Sequence, residues 1–300
     1  MLTELRPGIV WPLFNLRLNY YPYTLFMNKM IKLTNLPALA MLGLSIAALV
    51  ACSAPETPLF AANNVAANNA AMSSAAAPFD HSAYDRLLKK HVNEKGQVSY
   101  KGFKADQKEF DQYLALLSKN APTKSWSKNE QMAYWINAYN AYTIRLILNH
   151  YPVESIKDIG SKIKIPFVTT PWASKFFSIG GEKMSLDNIE HGTLRKNYDD
   201  PRIHFALVCA SVSCPRLRNE AFTAEKLDRQ LDDQARDFLN DPTKNKPGSG
   251  QLSKYFDWYK GDWENNGQSV AKWVNKYAKT KLANPDKVSY LDYNWNLNEQ

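Results

Sequence analysis

The sequence predicts an α+β fold, with a helix-rich first half whose buried central helix packs on a small, mostly antiparallel sheet built from the second half. Three observations predict it. Residues 127–151, SKNEQMAYWINAYNAYTIRLILNHY, carry apolar side chains on nearly every helical face, which marks a helix packed on nearly all sides. The segments before them keep the apolar period of amphipathic helices. Those after them include a Gly-Gly hairpin pattern and short runs of strand formers between Gly and Pro turns.

Taken in order, residues 82–91 read as a short helix, with Tyr84, Leu87 and Leu88 on one side and Lys89 and Lys90 on the other. A turn at Gly96 and a short strand through Val98 and Tyr100 follow. Residues 104–118 make a second amphipathic helix through Phe110, Tyr113, Leu114 and Leu117. In the central helix Ser127 and Glu130 have the spacing of a capping box, and Pro152 closes it. Asn137 and Asn140 lie on its apolar faces as buried amides that need partners. Gly160, Pro166 and Pro171 break the next stretch into turns, and residues 174–184 form a hairpin about Gly180-Gly181. Ser185 caps a helix, with Asn188 too weak to complete a capping box, and places His191 and Arg195 four apart on one face. Ile203–Cys209 reads as a buried strand, 223–240 as a helix, Leu252–Phe256 as a strand, 268–279 as a helix, and 288–298 as a closing strand near the central helix. Trp258, Tyr259 and Trp263 are either core cover or a sugar-stacking platform. His81, His91 and His150 sit at element ends and are expected to face solvent.

The chain has 300 residues, but its ends lack a globular pattern, which leaves residues 79–300 as a single globular domain. The formal charge of +8 falls to +5 from Cys52 onward, where 33 basic residues oppose 28 acidic ones. No dense Lys/Arg run with interleaved aromatics occurs, so a nucleic-acid partner is not expected.

Residues 30–51 have a Lys near the start, an apolar run and then small residues, which is the layout of a signal peptide. Leu49, Val50, Ala51 and Cys52 resemble the lipobox of bacterial lipoproteins. That resemblance implies acylation of Cys52 by palmitate-type chains, with Ser53 favouring an outer membrane and display toward the periplasm. Residues 1–29 precede better starts at Met27 and Met30 and read as a start-site overcall or an extension. Residues 52–78 are the lipidated Cys and a tether of Ala, Asn, Ser and Pro, a flexible coil spanning roughly 28 Å.

The blocks WINAYNAYTI, LDNIEHGTLR, DPRIHFALVCASVSCPRL and YLDYNWNLN resemble the domain of unknown function 547 family, in that family's order and over residues 80–297. The resemblance implies no assigned activity. Some members look similar in arrangement to papain-like or transglutaminase-like folds, which place a nucleophilic cysteine at the start of the central helix; this chain has none there.

Cys209 and Cys214 therefore have three readings. An exported compartment permits a disulfide between them. Alternatively Cys214 is a nucleophile: Pro215 at a first helical position would put Cys214 at an N-cap, Arg216 and Arg218 would favour its thiolate, His204 or His191 would be the base, and Asn137 or Asn140 would orient the imidazole or an oxyanion. The third is zinc, but the five-residue Cys spacing and scattered histidines argue against a metal, and no cofactor is expected. Two functions follow. The chain is a membrane-anchored envelope lipoprotein that binds or assembles with an unidentified envelope protein or polymer, or it is a cysteine-dependent hydrolase or acyl transferase acting on peptide or envelope polymers.

Overall fold

The computed structural model describes residues 78–160 and 170–300, which lie within one compact unit, Ser73–Gln300. The signal peptide, Cys52 acylation and tether expected up to residue 77, and the turns expected over 161–169, fall outside the described residues. The fold is α+β. Four helices come first: α1 (Ser82–His91), α2 (Tyr100–Ala105), α3 (Gln107–Lys119) and α4 (Lys128–His150). Fifteen of the 23 residues of α4 are buried, which makes it the hub of the core. The Ser127 hydroxyl accepts from the Glu130 amide at 3.1 Å, as a cap should. The expected reciprocal bond is replaced, because the Glu130 carboxylate accepts from the Phe79 amide at 3.1 Å and so ties the start of the domain to α4.

The neighbours of α4 are mostly helical. It packs against α2, α3 and the helical segment after residue 185. The Tyr134 hydroxyl donates to the Leu117 carbonyl at 2.6 Å, and Tyr142 stacks on Phe177 of the hairpin at 3.8 Å. That hairpin, β1 (Phe177–Ile179) and β2 (Glu182–Met184), is antiparallel with Phe177 opposite Met184. A second two-residue pair, β3 (Gln251–Leu252) with β4 (Ser289–Tyr290), runs parallel. The sheet is thus two separate pairs, smaller than expected. Much of its stitching role passes to the final segment, where Leu297 bridges Ser211, Asn296 bridges Ser155 and Glu299 bridges Val98.

Several local expectations change for identifiable reasons. The helix expected over 104–118 is divided at Asp106, whose backbone leaves helical geometry and whose carboxylate takes His91 at 2.6 Å and Lys90. Ile203–Cys209 is not a strand. Asp200 caps a 3-10 turn, Pro201–Phe205, by accepting from the Arg202 amide at 3.0 Å, and Pro201 starts the turn. A short apolar run fits either a buried strand or a buried helical turn, and the cap decides. After β2 come α5 (Leu186–Ile189), a π turn (Glu190–Leu194) and α6 (Arg195–Asn197). Here Ser185 and Asn188 do complete a capping box, at 3.2 and 3.0 Å. The later helices are α7 (Leu227–Leu239), α8 (Tyr255–Trp258), α9 (Lys260–Trp263) and α10 (Val270–Tyr277), so only Gln251–Leu252 of the stretch ending at Phe256 is extended as a strand.

Two histidines expected at the surface are buried. His81 accepts or donates at 2.8 Å with the Tyr113 hydroxyl, and His91 keeps its bond to Asp106. Their positions at helix ends face the α2–α3 layer rather than water. His150 is exposed.

Candidate functional site

A cleft of about 390 Å³ opens between the segment after Ser185 and the C-terminal aromatics. Its lining includes Asp187, Glu190 and His191, the indoles of Trp172, Trp258 and Trp295, and Tyr139, His204 and Cys209. The capping box starts α5, and the widened π turn that follows buries Glu190 while leaving the His191 side chain 47% exposed. Such single π turns inside helices recur at functional sites. Tyr139 from α4 and Tyr259, just before α9, lie beside the Glu190 side chain. Burial pushes both phenols well above their ordinary range, so both keep their protons at neutral pH.

A relay of polar side chains runs behind this wall. Arg195 reaches His191 Nδ1 at 3.0 Å and forms a bidentate pair with Asp262, Nε to Oδ2 at 2.6 Å and Nη2 to Oδ1 at 2.8 Å. His204 Nε2 is 2.7 Å from Asp262 Oδ2. Burial raises the Asp262 carboxyl, but bonds from His204 and Arg195 outweigh it and hold the group well below the usual carboxylate range. Burial lowers His204 and prevails over the carboxylate, so the ring is neutral at pH 7. An ionised carboxylate can only accept, so Nε2 carries the proton and Nδ1 is the basic nitrogen. The ring is fixed further by stacking on Tyr259 at 3.7 Å.

Cys209 and Cys214 form a disulfide with Cα atoms 6.3 Å apart. Between them Ala210 adopts φ +59°, a conformation few side-chain-bearing residues take. The bridge sits in a cluster of hydroxyls. Ser211 and Tyr293 each lie 3.3 Å from Cys214 Sγ, Tyr255 lies at 3.4 Å, and the Cys209 amide donates to the same sulfur at 3.0 Å. The features expected to activate Cys214 are arranged otherwise. Pro215 starts no helix, so Cys214 is not an N-cap; Arg216 pairs with Asp237 at 2.7 Å and Arg218 with Glu220.

Of the residues singled out from sequence, His191, His204 and Cys209 line one cleft, and Cys214 lies behind it in the bridge. Asn137 and Asn140 are instead bound to backbone. Asn137 donates to the Phe222 carbonyl at 2.8 Å and accepts from the Phe222 amide at 3.0 Å. Asn140 donates to the Ala206 carbonyl and accepts from the Val208 amide, each at 2.9 Å, which fixes the chain between His204 and Cys209. Sequence reasoning did not identify Glu190, Tyr139 or Asp262. The adjacency of Glu190 to His191 was a usable signal; nothing local marks Asp262. Among the described residues no cluster of three or more His, Cys, Asp or Glu could hold a metal ion. Nor is any helix among them long and apolar enough to cross a membrane.

In comparison with known proteins, residues 123–239 match the family described as "Protein of unknown function, DUF547". That span holds α4, the Glu190 turn, His204 and both bridged cysteines, whereas Asp262, Trp258 and Trp295 lie beyond it. No curated protein and no solved structure matches the chain.

Proposed function

We propose that this chain is a lipid-anchored envelope module, held by acyl chains on Cys52 at the periplasmic face of an outer membrane, whose cleft binds a sugar-containing envelope polymer. The carrying observation is the aromatic side of the cleft. Trp258 is 44% exposed, stacks on Trp295 at 5.7 Å, and Trp295 meets Trp172 edge-on at 5.9 Å. Indole faces suit the apolar faces of sugar rings, and Asp187, Glu190 and His191 in the same cleft supply hydrogen-bonding groups for hydroxyls. Trp263, by contrast, is fully buried and serves the core.

The test uses purified chain with soluble peptidoglycan and other envelope glycan fragments, read by tryptophan fluorescence and calorimetry. Saturable binding that Trp258→Ala weakens at least tenfold, with unchanged unfolding midpoint, supports the reading. Absence of binding to every fragment by native chain overturns it. Palmitate labelling of Cys52, abolished by Cys52→Ser, tests the anchor separately.

A cysteine-dependent hydrolase or acyl transferase is the second reading. It is favoured by Cys209 and His204 lining the same cleft, with the imidazole oriented by Asp262. In the bridged state neither sulfur is a nucleophile, so this activity requires reduction of the bridge.

A further inference from the structure

We propose that the Cys209–Cys214 pair is a thiol–disulfide exchange centre, with Cys209 the sulfur attacked from the cleft and Cys214 the leaving thiolate. The substrate class is a thiol, on a small molecule or an extended peptide, able to enter the cleft. The inference does not depend on the polymer-binding reading.

The two sulfurs are placed unequally. Cys209 lines the cleft and keeps 8% of its surface, while Cys214 keeps 1% and lines a different cavity on the other side of the bridge. Access therefore directs an incoming thiolate to Cys209. The Ser211 and Tyr293 hydroxyls lie 3.3 Å from both sulfurs, but the Cys209 amide donates to Cys214 Sγ at 3.0 Å and the Tyr255 hydroxyl is nearer to it, 3.4 Å against 3.9 Å from Cys209 Sγ. Burial pushes the Tyr293 phenol up to about 12 and Tyr255 well above its ordinary range, so both keep their protons at neutral pH. A sulfur surrounded by donors becomes a better leaving group, because hydrogen bonds to a thiolate lower its basicity.

The exchange balances as follows. An external thiolate attacks Cys209 Sγ, forming a new S–S bond as the bond to Cys214 Sγ breaks, and the electron pair leaves on Cys214 Sγ, where the Cys209 amide and the neighbouring hydroxyls receive it. A second external thiolate then attacks the external sulfur of the mixed disulfide. It releases Cys209 as a thiolate, which takes a proton from water, and yields the external disulfide. Two thiols are oxidised and the protein pair is reduced; the reverse sequence re-forms the bridge and reduces an external disulfide to two thiols. In the reduced form Cys209 shares the cleft lining with His204, whose tautomer Asp262 holds.

Native full-length chain is equilibrated in glutathione redox buffers at pH 7, quenched by alkylation, and the Cys209 and Cys214 peptides are quantified by mass spectrometry while circular dichroism follows the fold. The expected result is reversible reduction without loss of the folded signal. Tyr293→Phe and Ser211→Ala each shift the equilibrium about three- to tenfold toward the disulfide. In Cys214→Ser, glutathione disulfide modifies Cys209 rapidly, whereas in Cys209→Ser it modifies Cys214 at least tenfold more slowly. A native bridge that resists glutathione until the protein unfolds overturns the proposal. So does faster modification of Cys214, or equal reducibility of native chain and both hydroxyl variants.

Discussion

His204 and Asp262, 58 residues apart in the chain, meet at 2.7 Å with the imidazole almost wholly buried and the carboxylate also clasped by Arg195. This contact joins the 3-10 turn that follows Asp200 to α9 and sets which imidazole nitrogen carries the proton. The aromatic stack on Tyr259 and the edge of Trp263 at 5.4 Å complete the fixation. Its removal has measurable consequences, as does the loss of other buried polar contacts.

Asp262→Asn keeps the shape and removes the charge, leaving Arg195 without its carboxylate. The expected loss is about 2 kcal/mol at pH 7, the scale of a charge-assisted hydrogen bond. Because the folded carboxyl is held down, this contribution is present above its unfolded pKa of about 3.9 and is lost as pH falls through the lower folded value. Urea midpoints of native and variant chain at pH 7 and pH 3 check this: the gap should be large at the first and shrink only in strong acid. Equal midpoints at pH 7 would refute it.

His81 makes stability pH-dependent in milder acid. Burial pushes its imidazole down to about 4, while the unfolded group titrates near 6.5. Between these values the unfolded chain binds the extra proton, so stability rises with pH. The contribution is complete above about 6.5 and is lost progressively toward pH 4, amounting to about 3 kcal/mol at most. Denaturant titrations at pH 7.5 and 4.5 should show that drop, and His81→Gln should flatten it.

Asn137→Ala leaves the Phe222 carbonyl and amide, both inside the core, without their partner. Two unsatisfied buried groups cost about 2–4 kcal/mol together. Asn140→Ala has a similar cost and also frees Ala206 and Val208, so the near-ultraviolet signal of the cleft aromatics should change with it. Thermal melts with no shift in either variant would show that water replaces the amides.

Gly96 turns with φ +77°, and a Cβ there would lie 2.7 Å from the Arg216 Cα and the Leu217 nitrogen. Gly96→Ala therefore combines left-handed backbone strain with a clash against rigid main chain, a loss of about 2–4 kcal/mol. A chemical denaturation midpoint close to that of native chain would contradict this packing.

Local chemistry carries much of the plan. Apolar residues around the whole circumference of 127–151 predict a buried helix, and α4 is one, because a helix can hide such a surface only inside the protein. The Gly180-Gly181 turn predicts the hairpin, since both residues take positive φ. The expected readings of 203–209 and of Pro215 failed at short apolar or proline-marked segments, where a single cap or its absence selects the conformation.

The cleft is of another kind. His191 and Arg195 could be paired from their spacing on one helical segment, and Cys209 and Cys214 from their proximity in the chain. Asp262, Tyr259, Tyr293 and Trp295 reach the same place from distant elements, and no periodicity encodes which of them will meet. Helices, caps and turns are governed by neighbours within about four residues, so composition and order reveal them. The partner of His204, the donors around Cys214 and the burial of Glu190 depend on how α4, the cysteine loop and the C-terminal segment pack together, and that arrangement exists only once the chain has closed on itself.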